Sequence, residues 1–160
     1  MKSRLFLTIV FLVVAACSEH DMMDDFQITP RDGSVNVSRD GAITLSFQKT
    51  ADSGTVAMNF HMMPSSLMNT LMDSVNMMGM THGTMLSLMV RHSVSGNFTW
   101  NKGYTECVFD PDSIMVPMTK YNIHMGKGMM DMAGMHHSGG MMGMPSVMAE
   151  DMIVEFMTGN

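Results

Sequence analysis

A succession of short alternating apolar runs, broken by turn residues, limits what this chain can fold into. Residues 42–47 (AITLSF) alternate strictly, so Ile43, Leu45 and Phe47 share one face. A period of two belongs to a strand with one buried side. Phe26-Gln27-Ile28 begins a similar run that Pro30 stops, and Asp32-Gly33 and Asp40-Gly41 mark turns. Residues 56–62 read as a strand with Val56, Met58 and Phe60 on one face. Residues 85–92 read as another, with Leu86, Leu88 and Val90 aligned. Residues 98–100 and 106–109 predict a hairpin turning at Asn101-Lys102-Gly103, with Thr105, Cys107 and Phe109 inward and Asp110-Pro111-Asp112 as its end. Residues 121–125 and 152–157 supply two more strands, the first with Tyr121 and Ile123 inward. Only 64–81 changes period: Leu67, Leu71 and Val75 recur every four residues, which predicts a short helix near 65–78. About seven strands and almost no helix predict an all-β antiparallel sandwich over residues 26–160.

The first 16 residues do not belong to that fold. Lys2 and Arg4 precede an apolar run from Leu5 to Val14, which is too short to span a bilayer. Small residues then lead to Cys17, so 1–16 reads as a secretory signal peptide. Val14-Ala15-Ala16-Cys17 resembles the lipobox of bacterial lipoproteins. That resemblance implies cleavage before Cys17, lipidation of Cys17, and an outer-membrane lipoprotein facing the periplasm or the cell surface, since Ser18 and not Asp follows. Residues 17–25 form an acidic tether between lipid and domain. Without Lys2 and Arg4, seven basic residues face 15 acidic ones, a net charge of −8. Such a surface argues against nucleic acid as a partner and is compatible with cations. With Cys17 lipidated, Cys107 has no disulfide partner and reads as a buried core thiol.

Two segments, 61–85 and 125–148, break the strand pattern. Together they hold 17 of the 25 methionines that follow Met1. The second also contains six glycines, two adjacent histidines and no aromatic residue, a composition that predicts a flexible loop before the last strand. A thioether is a soft, neutral donor that suits Cu(I), and by analogy Ag(I), far better than Mg²⁺, Ca²⁺ or Zn²⁺. Met77, Met78, Met80 and His82 place three sulfurs and one imidazole within six residues. Met129, Met130, Met132, Met135, His136 and His137 place four sulfurs and two imidazoles within nine, and Met141, Met142 and Met144 add three sulfurs. These are the candidate ligands. His61 opens the first segment and His124 adjoins the second. The bland alternatives are adaptable core filling, which suits Met58, Met89, Met152 and Met157, and a sticky surface for an envelope protein partner. A strand count has the two segments leaving opposite ends of the sandwich.

Catalytic patterns are absent from the sequence: there is no Gly-x-Ser-x-Gly, His-Glu-x-x-His, P-loop or Gly-x-Gly-x-x-Gly opening a helix. The expectation is a non-enzymatic protein.

The order of motifs resembles a known family. Pro30, Asp32-Gly33, Val37, Phe47, Phe109-Asp110-Pro111, Tyr121, Asp131-Met132-Ala133-Gly134 and Phe156-Met157-Thr158 follow one another as in the bacterial Ig-like domain first seen in surface-layer proteins (the SbsA type, Big_5). The likeness implies a sandwich fold, a cell-surface or periplasmic setting and no catalytic residues. It departs after Gly134, where this chain inserts 136–145 before the last strand. Fold does not give function, so the expected function comes from the insertions: capture or buffering of Cu(I), or Ag(I), in the cell envelope. The alternative is a structural or adhesive surface domain.

Overall fold

The alternation at 43–47 becomes strand β3 (Ile43–Phe47), whose residues 43, 45 and 47 are buried. It lies between β1 (Phe26–Thr29) and β6 (Glu106–Pro111), and β6 continues to β5 (Gly96–Trp100). All three pairings are antiparallel, with Ile28 opposite Leu45 and Leu45 opposite Cys107. The second sheet has the order β2 (Ser34–Val37), β8 (Met152–Thr158), β7 (Lys120–Met125), β4 (Phe60–Pro64). The structure is a computed structural model that describes residues 26–78, 81–132 and 151–160.

The sheets face each other across one core. Phe60 of the second sheet meets Phe109 of the first at 4.9 Å between ring centroids and Phe98 at 5.4 Å. Tyr121 stacks on Phe156 at 5.7 Å, and its hydroxyl accepts the Val116 N–H at 3.0 Å. Ile43, Leu45, Val56, Met62, Ile123, Met125 and Val154 are fully enclosed there. The two-layer sandwich and its inward residues follow the alternation that predicts them.

Three features differ from expectation. Residues 56–59 belong to helix α1 (Ser53–Asn59), not to a strand. Asp52 caps it by accepting the Thr55 N–H at 2.7 Å. Val56 is buried and Met58 is exposed, which fits a helical turn and not an alternating face. Residues 85–92 belong to helix α3 (His82–His92). Thr81 caps its start, and Arg91 and His92 sit in its last turn, where cations suit the helix dipole. Met85 and Met89 are buried one turn apart while Val90 is exposed. The third difference is β2, which pairs with β8 in parallel, so the second sheet is mixed. The expected helix is present as α2 (Ser65–Met78), with Leu71 buried and Leu67 packed beside it.

The segment after β7 also departs from the expected loop as far as it is described. Met125 ends β7, and α4 (Lys127–Met132) follows. Met125 and Met129 are core residues, 0% and 1% exposed. The Gly126 N–H donates to the Asn59 carbonyl at 2.8 Å. A Cβ on Gly126 would lie 2.7 Å from Asn59 Oδ1, so this glycine permits close approach of α4 to α1.

Candidate functional site

Alternation along β4 sends Phe60 and Met62 into the sandwich and His61 and Met63 to the opposite face. The same rule on β7 turns Tyr121, Ile123 and Met125 inward and leaves Asn122 and His124 outward. An outward face of an antiparallel sheet is ordinarily wet. Here it is covered. The α2–α3 hairpin is inserted directly after β4 and contacts β4, with α2 also against β7. Met63, Met68, Leu71, Met85 and Met89 form a second apolar cluster beneath it. Ser65 opens α2 by donating to Asn122 Oδ1 at 2.8 Å. Ser93 and Val94, just past α3, bond the backbone of Met62.

Two imidazoles lie on this covered face. Residues 61 and 124 are directly opposite in the β4–β7 register. Their rings stack at 5.7 Å between centroids with an interplanar angle of 8°. Both residues are buried, 2% and 0% exposed. His124 Nε2 lies 2.9 Å from Asp151 Oδ2, so its N–H donates to that carboxylate. Asp151 is buried as well, and its Oδ1 accepts the Lys127 N–H at 2.7 Å. His61 makes a backbone hydrogen bond with Met58. Its pKa is lowered to about 4, first by burial and then by the neighbouring His124 ring. Both rings are therefore oriented through one nitrogen. Their other nitrogens, His61 Nε2 and His124 Nδ1, are buried without a hydrogen-bond partner among the described residues. A buried polar atom ordinarily has a partner, and a lone pair on neutral imidazole is a ligand for borderline and soft metals.

The ligands expected from sequence lie elsewhere. Met77 and Met78 end α2 and His82 begins α3, so they flank one short helical connection. Met129 is in α4 with its side chain in the main core, where core packing replaces the expected exposed ligand; Met130 and Met132 also belong to α4. Met80, Met135, His136, His137, Met141, Met142 and Met144 lie outside the described residues, as does Cys17. Among the described residues no group of three or more His, Cys, Asp or Glu side chains is placed to hold a metal ion. Cys107 is enclosed in the core opposite Leu45 and Trp100, and burial pushes its thiol up to about 12. It is an inert core thiol, as the sequence implies. Sequence reasoning left out the pairing of His61 with His124, because neither residue carries a local signal. Only the β4–β7 register brings them together.

The chain is similar to parts of larger proteins of known structure. L,D-transpeptidase 1 of Mycobacterium tuberculosis is 15% identical with a TM-score of 0.41, over 83% of this chain and 37% of that one. The L,D-transpeptidase of Mycobacterium smegmatis is 13% identical with a TM-score of 0.43, over 84% and 39%. Domains 1–6 of surface-layer protein SbsC give 10% and 0.39, over 84% and 14%. This chain thus spans less than two fifths of each. No curated protein matches it. The family model described as a bacterial Ig-like domain (Big_5) matches residues 26–147, most of the 160, and the chain belongs to that family.

Proposed function

We propose that this protein is a non-catalytic envelope domain that captures a soft univalent metal ion, Cu(I) or Ag(I), through methionine- and histidine-rich insertions on an Ig-like frame. Family membership supports the coarser part of this reading, a structural or adhesive domain of the cell surface or envelope. The metal reading rests on one observation. Met77 and Met78 end α2, His82 opens α3 with Met80 between them in sequence, and the other soft-donor run, 129–144, begins in α4 and lies between β7 and β8 in sequence. Frame and donors are thus largely separate. The strands, their pairing and most of the core need none of these residues, Met129 excepted. Thioethers gathered close together in sequence suit a soft ion that exchanges readily. The lipid anchor read at Cys17 would hold the domain at the outer membrane, where such an ion arrives from outside the cell.

The test is a titration of the full chain in detergent with Cu(I), anaerobic and reduced, against a chromophoric Cu(I) competitor. A variant carrying Ser for every Met and His in 129–144 is compared. The wild type should withdraw several equivalents from the competitor and the variant fewer. Equal withdrawal by both, or none by the wild type, overturns the reading. An envelope protein partner is the second reading. It is favoured by the exposed apolar residues Ile114, Val116 and Met118 on the connection between β6 and β7.

A further inference from the structure

The stacked histidines under the α2–α3 hairpin stand apart from the donor-rich connections. Each ring is held by one nitrogen: His124 by Asp151, and His61 by the backbone of Met58. The other nitrogen of each is buried and has no hydrogen-bond partner among the described residues. That pattern is how proteins prepare metal-binding imidazoles. The outer N–H is fixed on a carboxylate or carbonyl, which sets the tautomer and leaves the inner lone pair free. Asp151 is itself saturated, with one oxygen on His124 and the other on the Lys127 N–H, so it acts on the ring and is not a free ligand.

We propose that His61 Nε2 and His124 Nδ1 form a buried binding site for one soft univalent cation, Cu(I) or Ag(I), with Asp151 as the positioning residue for His124. The donor count selects the ion. Two neutral imidazoles satisfy Cu(I), which accepts as few as two ligands, whereas zinc sites use four and calcium sites six or more oxygens. Met63 lies two residues along β4 on the same face and is fully buried, so a thioether is the nearest additional donor type on that strand. The site deepens the soft-metal reading but does not depend on the loop ligands. It would hold one ion away from solvent, where the connections hold several in exchange.

The experiment uses the full chain with selectively ¹⁵N-labelled histidine. Under anaerobic reducing conditions one equivalent of Cu(I) is added, and in a parallel arm one equivalent of Ag(I). Two imidazole nitrogens, one from each ring, should shift while the ring nitrogens facing Asp151 and Met58 keep their N–H protons. Two substitutions preserve the outer hydrogen bonds and delete the lone pairs. His124→Gln keeps a donor toward Asp151, and His61→Asn keeps one toward Met58. Each should abolish the single competitor-resistant equivalent and leave the weaker, loop-dependent uptake intact. Asp151→Asn should weaken that equivalent about 10- to 100-fold. Its amide would donate to His124 Nε2 and move the ring proton to Nδ1, which the ¹⁵N shifts read directly. Unshifted imidazoles in the wild type, or a resistant equivalent that survives both histidine variants, overturns the proposal. If either variant fails to fold, the wild-type spectrum alone decides. Loss of multi-equivalent uptake in the 129–144 variant, with the imidazole shifts retained, would separate the fate of this site from that of the loops.

Discussion

The two sheets differ in how their outer faces are treated, and the functional candidates follow from that difference. In the sheet β1-β3-β6-β5 only one face is enclosed: β3 alternates buried with half-buried, and β5 alternates half-buried with exposed. In the sheet β2-β8-β7-β4 the adjacent strands β7 and β4 are enclosed on both faces. Phe60 to Met63 are all buried, as are Tyr121 to Met125. Enclosure of an outer face removes water from whatever polar side chains stand there. The chain places Asn122, His61 and His124 on that face. Asn122 receives a bond from Ser65, and among the described residues each histidine is satisfied at one nitrogen only. The lesson is that a helical insertion changes the chemistry of strands it merely covers. Without α2 and α3, two outward histidines would be ordinary solvated residues.

The contrast can be broken or sharpened by measurement. The largest effect belongs to the shared inner core. Phe156→Ala removes a ring stacked on Tyr121 and should lower stability by about 3–5 kcal/mol in urea unfolding. A loss below about 1 kcal/mol would mean the inner face is not the organising core.

The next effect is a dependence on pH in the metal-free protein. Burial holds the folded pKa of His61 at about 4, below its usual 6.5, so between those values the unfolded chain binds more protons. The contribution is complete above pH 6.5 and is lost as pH falls toward 4, by up to about 3 kcal/mol. His124 stacks on it and Asp151 holds His124 in the same enclosed group. His61→Asn should flatten the fall in urea midpoint between pH 7 and 4.5. An equally steep fall in the variant would assign the acid sensitivity elsewhere.

Met63→Ala strikes the second cluster and should remove about 2 kcal/mol. Hydrogen exchange should accelerate in α2 and α3 well before β3 and β6. Uniform acceleration would show that the two clusters behave as one cooperative unit. The smallest effect is expected at the surface pair Lys120–Glu155, 2.6 Å apart with side chains 60% and 40% exposed. Lys120→Ala should change stability by about 0.5 kcal/mol or less.

The frame was legible because its strands are amphipathic in the simplest way. Ile43, Leu45 and Phe47, or Cys107 and Phe109, announce a period of two with nothing to compete. The helices were harder. Val56 and Phe60 fit both an alternating face and one helical turn, and the Asp52 cap that decides between them is a single hydrogen bond. At 85–92, Leu86, Leu88 and Val90 alternate well. The true stripe is Met85, Leu88 and Met89, which becomes visible only when methionine is read as an apolar core residue as well as a sulfur donor. The same double identity hid Met129 in the core. The histidine pair was out of reach for a different reason. Strand register is a long-range property, and no local pattern states that residue 61 will stand opposite residue 124.

Asp151 has one more consequence, which concerns how such a chain can change over generations. Through His124 and the Lys127 amide it fastens β8 to the point where the chain leaves β7. The two ends of the intervening segment are thereby fixed whatever lies between them. Between two fixed ends, doubling the number of residues in a chain segment adds only about 0.6 kcal/mol of closure entropy. By that measure, duplication or loss of a Met-Gly-Met unit in that span would cost folding little while altering how many methionines the domain carries. Such a clasp lets the methionine count of that span drift at little risk to the sandwich.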